Sequence, residues 1–200
     1  MFREGAGSTP IIRAMCPVES SSRRADLLEA LAAYRPEDAR DEAVLLRFRD
    51  FLARPDPFFR GDREGHVTAS AIVMLPPGDR VVLVSHRKLG GWLQPGGHVE
   101  SEDGSVFETA LREVREETGL DRLAAPLGRS ILDLDVHAIP AFGAEPSHFH
   151  YDVRFLLTSE DDGALADGAA AFALDAIPSV DRDGSLERAV RKAVACLAWR

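Results

Sequence analysis

The chain has 200 residues, of which 45% are hydrophobic, and a formal net charge of −9, enough for a sizeable core in one ordinary domain. No apolar run approaches the ~20 residues of a membrane helix, the first residues lack the charged-then-apolar order of a secretion signal, and the acidic balance argues against polymeric nucleic acid, whose binders carry a basic stripe. These features predict a cytoplasmic protein with small-molecule partners, and the two cysteines, Cys16 and Cys196, form no C-x-x-C pair and read as buried or idle thiols.

Residues 1–20 read as a flexible arm, with Met15 as an alternative start. Residues 21–62 read as a helical extension. Leu27, Leu28, Leu31 and Ala32 predict a short helix over Arg24 to Ala33, broken at Arg35-Pro36. Pro36-Glu37-Asp38 then opens a second helix, with Val44, Leu45, Phe48, Phe51 and Leu52 at helical spacing up to Pro55. Such an extension covers a sheet edge, makes a homodimer contact or shapes a pocket, and the first is the commonest arrangement.

Residues 63–200 carry the main domain. His66 to Leu75 is predicted as a strand, Pro76-Pro77-Gly78-Asp79 as a turn and Arg80 to His86 as a second strand, so that the two form a hairpin. The segment Lys88 to His98 contains Gly90-Gly91 and Gly96-Gly97. Paired glycines suit either close approach of the backbone to a metal or phosphate, or a tight turn.

A helix is predicted to begin near Val106, because Ser105 and Glu108 have the spacing of a capping box. Phe107, Ala110, Leu111 and Val114 form its apolar stripe, and Gly119 supplies the left-handed residue that ends it. Glu113, Glu116 and Glu117 stand three and four residues apart on one face. Like charges so placed repel, and the cluster reads either as a solvated acidic helix face, the commoner fate of glutamates, or as hard oxygen donors that suit Mg²⁺ or Mn²⁺.

Ile131 to His137 and His148 to Leu157 alternate as strands. Asp133, Asp135 and His137 share one face of the first, and His148, His150, Asp152 and Arg154 one face of the second. These polar faces either line a substrate cleft, the preferred reading, or face solvent. A separate zinc site from His137, His148 and His150 is the lesser reading, since no Cys joins them. Trp92, Phe149 and Tyr151 either stack a base or are buried, and burial is the commoner fate. Gly163 to Ala171 reads as an Ala- and Gly-rich loop, Ala169 to Leu174 as a last strand, and Ser185 to Trp199 as a helix with Leu186, Val190, Val194 and Leu197 in its stripe.

Gly97, Arg112, Glu113, Val114, Glu116, Glu117, Gly119 and Leu120 resemble the signature of the Nudix hydrolases, G-x5-E-x7-R-E-U-x-E-E-x-G-U, where U is a bulky apolar residue. Gly97 and Arg112 stand one residue further apart than that pattern, which a one-residue loop insertion explains, and Asp103 or, less naturally, Glu102 takes the place of the first Glu. Anchoring on His98 restores the spacing but loses both the Gly and the acid. His86 to Gly90, Trp92 to His98 and His148 to Asp152 further resemble a bacterial sub-group of this family with an N-terminal helical extension.

The resemblance implies an α/β (α+β) fold, an αβα sandwich around a mixed sheet. It also implies hydrolysis of a nucleoside diphosphate linked to another moiety, with Mg²⁺ or Mn²⁺ as cofactor. Carried over, Glu113, Glu116 and Glu117 are metal ligands with the Gly97 backbone, and Arg112 orients them. Glu116 or Glu117 shares base duty with metal binding, or an acid outside the helix serves, with Glu145 and Glu160 as candidates. Arg87, His98, His137, His148, His150 and Asp152 are candidate substrate contacts. Two other functions fit the same fold: a sensor that binds a nucleotide or nucleotide sugar without cutting it, and an isoprenyl-diphosphate isomerase. The latter uses a Cys and a Glu across its pocket.

Overall fold

The computed structural model describes residues 17–86, 91–143, 145–160, 165–177 and 184–198, with backbone only for 17–20. Two helices come first. α1 (Pro17–Ala33) begins before the Arg24 predicted from its apolar spacing, and α2 (Ala39–Leu52) is capped by Asp38, which accepts from the Asp41 amide at 2.8 Å. Val44, Leu45, Phe48, Phe51 and Leu52 are all buried, as a helical stripe requires. They cover a face of the sheet rather than its edge. Phe51 stacks on Tyr151 with ring centroids 3.8 Å apart, and Phe48 meets the same ring edge-on at 5.4 Å.

The sheet comprises β1 (Gly65–Leu75), β2 (Arg80–His86), β3 (Gly91–Leu93), β4 (Gly96–His98), β5 (Leu123–Ala124), β6 (Asp133–Ile139), β7 (His148–Ser159) and β8 (Ala169–Ala173). It is mixed. β1 and β7 run parallel, from Gly65 opposite Phe149 to Met74 opposite Thr158. The other edge of β1 is shared by two antiparallel partners, β2 at Val73 to Leu75 and β4 at Thr68 to Ser70. β6 and β5 line the far edge of β7 and β8 that of β2, while β3 pairs with Val84 to His86 on the β1 side of β2. Ala169 to Ala171 thus belong to a strand, not to the loop that their composition suggests.

The period of two along β1 divides the molecule. Val67 and Ala69 face the cluster built on α1 and α2, while Ala71 and Val73 face Val114 of α3 (Val106–Thr118). On the opposite face, Ile72 and Met74 pack with Leu186, Ala189, Val190 and Ala193 of α4 (Ser185–Ala198). The remaining residues of that face, His66, Thr68 and Ser70, are polar and buried. They continue into the polar faces of β7 and β6.

An ionic network crosses the layers behind this polar face. Lys192 of α4 donates to Asp133 at 2.8 Å, to Asp41 at 2.5 Å and to the Tyr34 hydroxyl at 3.0 Å. Arg188 pairs with Asp133 and Asp135, each at 3.0 Å, and the buried Arg154 pairs with Asp152 at 3.0 Å. Arg40 of α2 adds a bond to Asp135. Burial alone would raise the Asp135 pKa, but the hydrogen bond with His137 and the charges of Arg154 and Arg40 hold it well below the usual carboxylate range.

Candidate active site

α3 is positioned by its caps. The Ser105 side chain accepts from the Glu108 amide at 3.2 Å, and Gly119 closes the helix at φ 74°. The return arm of the predicted capping box is shifted by one residue, because Glu108 accepts from the Gly104 amide at 3.0 Å rather than from that of Ser105. Glu116 and Glu117 lie in the last turn, near the negative end of the helix dipole, where a carboxylate gains nothing for folding.

Arg112 fixes this carboxylate face. Its Nε and Nη2 each donate at 3.0 Å to one oxygen of Asp103, Nη2 also donates to the His98 carbonyl at 2.9 Å, and Nη1 donates to Glu113 at 2.9 Å and Glu116 at 3.1 Å. Asp103 is buried, and it also accepts from the Glu100 amide and the Thr109 hydroxyl, both at 2.9 Å. Its hydrogen bonds from Arg112 outweigh the effect of burial and lower its pKa. Asp103 therefore anchors Arg112 from the loop side and does not line the cleft.

β4 brings the glycines to the helix. Gly96 lies opposite Ser70 and Gly97 opposite Ala69. The Gly96 amide donates to Glu117 at 3.0 Å. A Cβ on Gly97 would stand 2.4 Å from Glu113 Oε1, so the carboxylate occupies the space that any other residue would need. Glu113 and Glu117 are partly buried, and burial pushes both pKa values up, against the Arg112 hydrogen bond to Glu113 and the Gly96 amide on Glu117. Glu116 is the exposed member, with 59% of its side chain accessible.

Glu113, Glu117 and Gly96 to His98 form one wall of a cleft of about 490 Å³. Thr68, Ser70, His150, Asp152 and Arg154 also line it, as do Asp135 and His137. Of the polar strand faces, Asp135, His137, His150, Asp152 and Arg154 therefore line a cleft, while Asp133 and His148 do not. Asp152 is saturated by the cleft's own donors: Ser70 at 2.7 Å, Arg154 at 3.0 Å, Thr68 at 3.1 Å and Gln94 at 3.4 Å. His137 Nδ1 lies 3.0 Å from Asp135, an interaction that raises its pKa despite burial. His150 is held neutral, its pKa lowered to about 2 by burial and the surrounding imidazoles.

The structure does not bring every sequence candidate into this cleft. Arg87 lies outside the described residues. His148 is buried beside the cleft, its Nε2 3.3 Å from that of His150. Tyr151 is under α2, Trp92 packs edge-on against Phe172, and Phe149 lies on the outside with Arg47 over its ring. Glu145, Glu160 and Cys196 are not among the described lining residues.

Sequence reasoning missed His66, whose pKa burial lowers to about 3. Its signal was its parity with Thr68 and Ser70, hidden because both faces of β1 are buried.

Residues 65–182 match the family model of the NUDIX domain. An uncharacterized Nudix hydrolase of Bacillus subtilis, YvcI, is 43% identical over 47 residues, 24% of this chain and 29% of the relative. A MutT NUDIX hydrolase from Burkholderia pseudomallei aligns at 21% identity and a TM-score of 0.44, over 64% of this chain and 98% of its own. The NUDIX domain of Shewanella oneidensis NrtR, solved with ADP ribose, aligns at 18% identity and 0.42, over 74% and 97%. Identities this low speak to no substrate. Because the family match runs through more than half of the chain and takes in β1, β4 and α3 together, the chain belongs to the NUDIX family.

Proposed function

We propose that the protein is a divalent-metal-dependent hydrolase that cleaves the diphosphate bond of a nucleoside diphosphate linked to another moiety. The observation that carries this reading is the pair Glu113 and Glu117, partly buried with raised pKa values and gathered against Gly96-Gly97 on the cleft wall. Folding alone does not favour that arrangement, since it places like charges together in a partly dry site at the wrong end of a helix. The donor set fits Mg²⁺ or Mn²⁺, which take hard oxygens and keep several coordination sites for water and phosphate.

Glu113 and Glu117 would hold the ion, with Glu116 at the solvent side and the Gly97 backbone alongside. A bound ion would neutralise diphosphate charge and lower the pKa of a coordinated water. Arg112 acts as a clamp, keeping Glu113 and Glu116 in place through its bidentate bond to Asp103. His137, its Nδ1 engaged by Asp135, turns its other ring nitrogen to the substrate's phosphates or sugar, and the buried Arg154 holds Asp152 and Asp135 in place behind it. Glu116 is the acid best exposed to accept a proton from water.

A panel of dinucleoside polyphosphates, nucleotide sugars, ADP-ribose, NADH, CoA and oxidised nucleoside triphosphates, run with Mg²⁺ and Mn²⁺ in ¹⁸O-water, tests this reading. Two phosphate-ended products with one solvent oxygen between them are expected. Tight binding without turnover would instead make the protein a sensor, and a product of unchanged mass an isomerase.

A further inference from the structure

Side chains that this hydrolysis does not use gather at the start of β1. The parallel register sets His66 beside His150, and His148 lies two residues earlier on β7 with the same parity. One donor atom from each ring lies within 4.8 Å of the other two. His148 Nε2 and His150 Nε2 face each other at 3.3 Å, the spacing of two nitrogens on one tetrahedral zinc, about 3.3–3.4 Å for Zn–N bonds of 2.0–2.1 Å. His148 Nδ1 lies 2.9 Å from the Pro146 carbonyl. That oxygen can only accept, so the proton sits on Nδ1 and Nε2 keeps its lone pair; this is the outer hydrogen bond that orients metal-binding histidines.

His66 points most directly to a ligand. It is 1% exposed, and among the described residues neither ring nitrogen has a hydrogen-bond partner. Buried polar groups in folded proteins are hydrogen-bonded or coordinated, so a ring with two idle nitrogens beside two other imidazoles has the surroundings of a metal ligand.

We propose that His66, His148 and His150 form a tri-histidine site for a transition-metal ion, Zn²⁺ foremost, distinct from the carboxylate cluster of α3. Imidazole selects zinc and its neighbours, whereas carboxylate selects magnesium and manganese, so the two clusters take different ions. His66 closes onto the ion by a side-chain shift of up to about 1.5 Å, from the 4.8 Å bound on the donor separations to the spacing that zinc bond lengths require. His150 is the member that lines the cleft, which leaves the fourth position of the ion to a water or to an anionic oxygen bound there. His137 is not part of the set: its Nδ1 is engaged by Asp135 at 3.0 Å.

The test is metal loading of the full chain after chelation. One Zn²⁺ per chain should survive gel filtration in excess Mg²⁺, and Co²⁺ should give tetrahedral visible absorption bands. Glu113→Gln/Glu117→Gln should keep both properties, and His66→Gln and His148→Gln should lose them. Anomalous scattering at the zinc edge from wild-type crystals reads the position independently of how any variant folds. A peak among the three rings is expected. A peak only at Glu113 and Glu117, no peak at all, or zinc retention unchanged in the histidine variants would overturn the proposal.

Discussion

Arg112 holds five oxygen acceptors at once, on Asp103, Glu113, Glu116 and the His98 carbonyl. A planar guanidinium does this and an ammonium cannot. Arg112→Lys should therefore lower metal-dependent turnover roughly 10- to 100-fold, the usual cost of losing an orienting partner, with partial recovery at raised Mg²⁺ concentration. Glu117 carries a pH signature of opposite sign to ordinary ion-paired acids. Its pKa is raised above 4.5 in the folded, metal-free chain, so its stabilising share is present below that value and is lost as pH rises through the raised one. In EDTA at pH 7, Glu117→Gln should melt at or above the wild-type temperature, and Mg²⁺ should raise the Tm of the wild type more than that of the variant. Differential scanning calorimetry distinguishes these outcomes.

At the scale of elements, β4 and α3 act as one unit, and the sequence revealed the two very unequally. The ends of α3 were legible because its caps are local: Ser105 and Gly119 each act within a few residues. β4 was not legible, because three residues become a strand only by pairing with β1 some thirty positions earlier. The glycines of β4 were recognised, yet their reason lies in direct neighbours distant in sequence, Glu113 and Ser70. Gly97→Ala meets the flexible end of Glu113 rather than backbone. It should leave Tm within a few degrees of wild type while lowering Mn²⁺ affinity at least ~10-fold by displacing that carboxylate, as isothermal titration would show.

At the scale of the whole molecule, the layers are joined by charges that no local pattern announced. Asp133 stood on the alternating polar face of β6, but Asp41 of α2 and Lys192 of α4, whose ammonium joins the two aspartates, each alone read as a surface residue. Only packing shows that they meet. Removing one partner of a buried network leaves the others uncompensated, so Lys192→Met should destabilise the protein by roughly 3–5 kcal/mol, read as a lower urea midpoint with an unchanged m-value.

Asp41, Asp103 and Asp135 have lowered pKa values because bonds to Lys192, Arg112 and His137 outweigh burial. Their contribution is complete above the ordinary aspartate value of 3.8 and lost as pH falls through the lowered ones. Acid unfolding should therefore begin below about pH 4. The polar faces of β6 and β7 were legible by their alternation, but the buried histidine on β1 was not.

Glu113 and Glu117, on this proposal, hold the ion on which diphosphate cleavage depends. Initial rates on the best substrate of the panel, measured with Mg²⁺ for wild type and for Glu117→Gln, test it most directly, with Tm recorded for both proteins. Matched folding and a rate reduced by roughly 100-fold or more are expected; equal rates would overturn the assignment of Glu117 as a metal ligand.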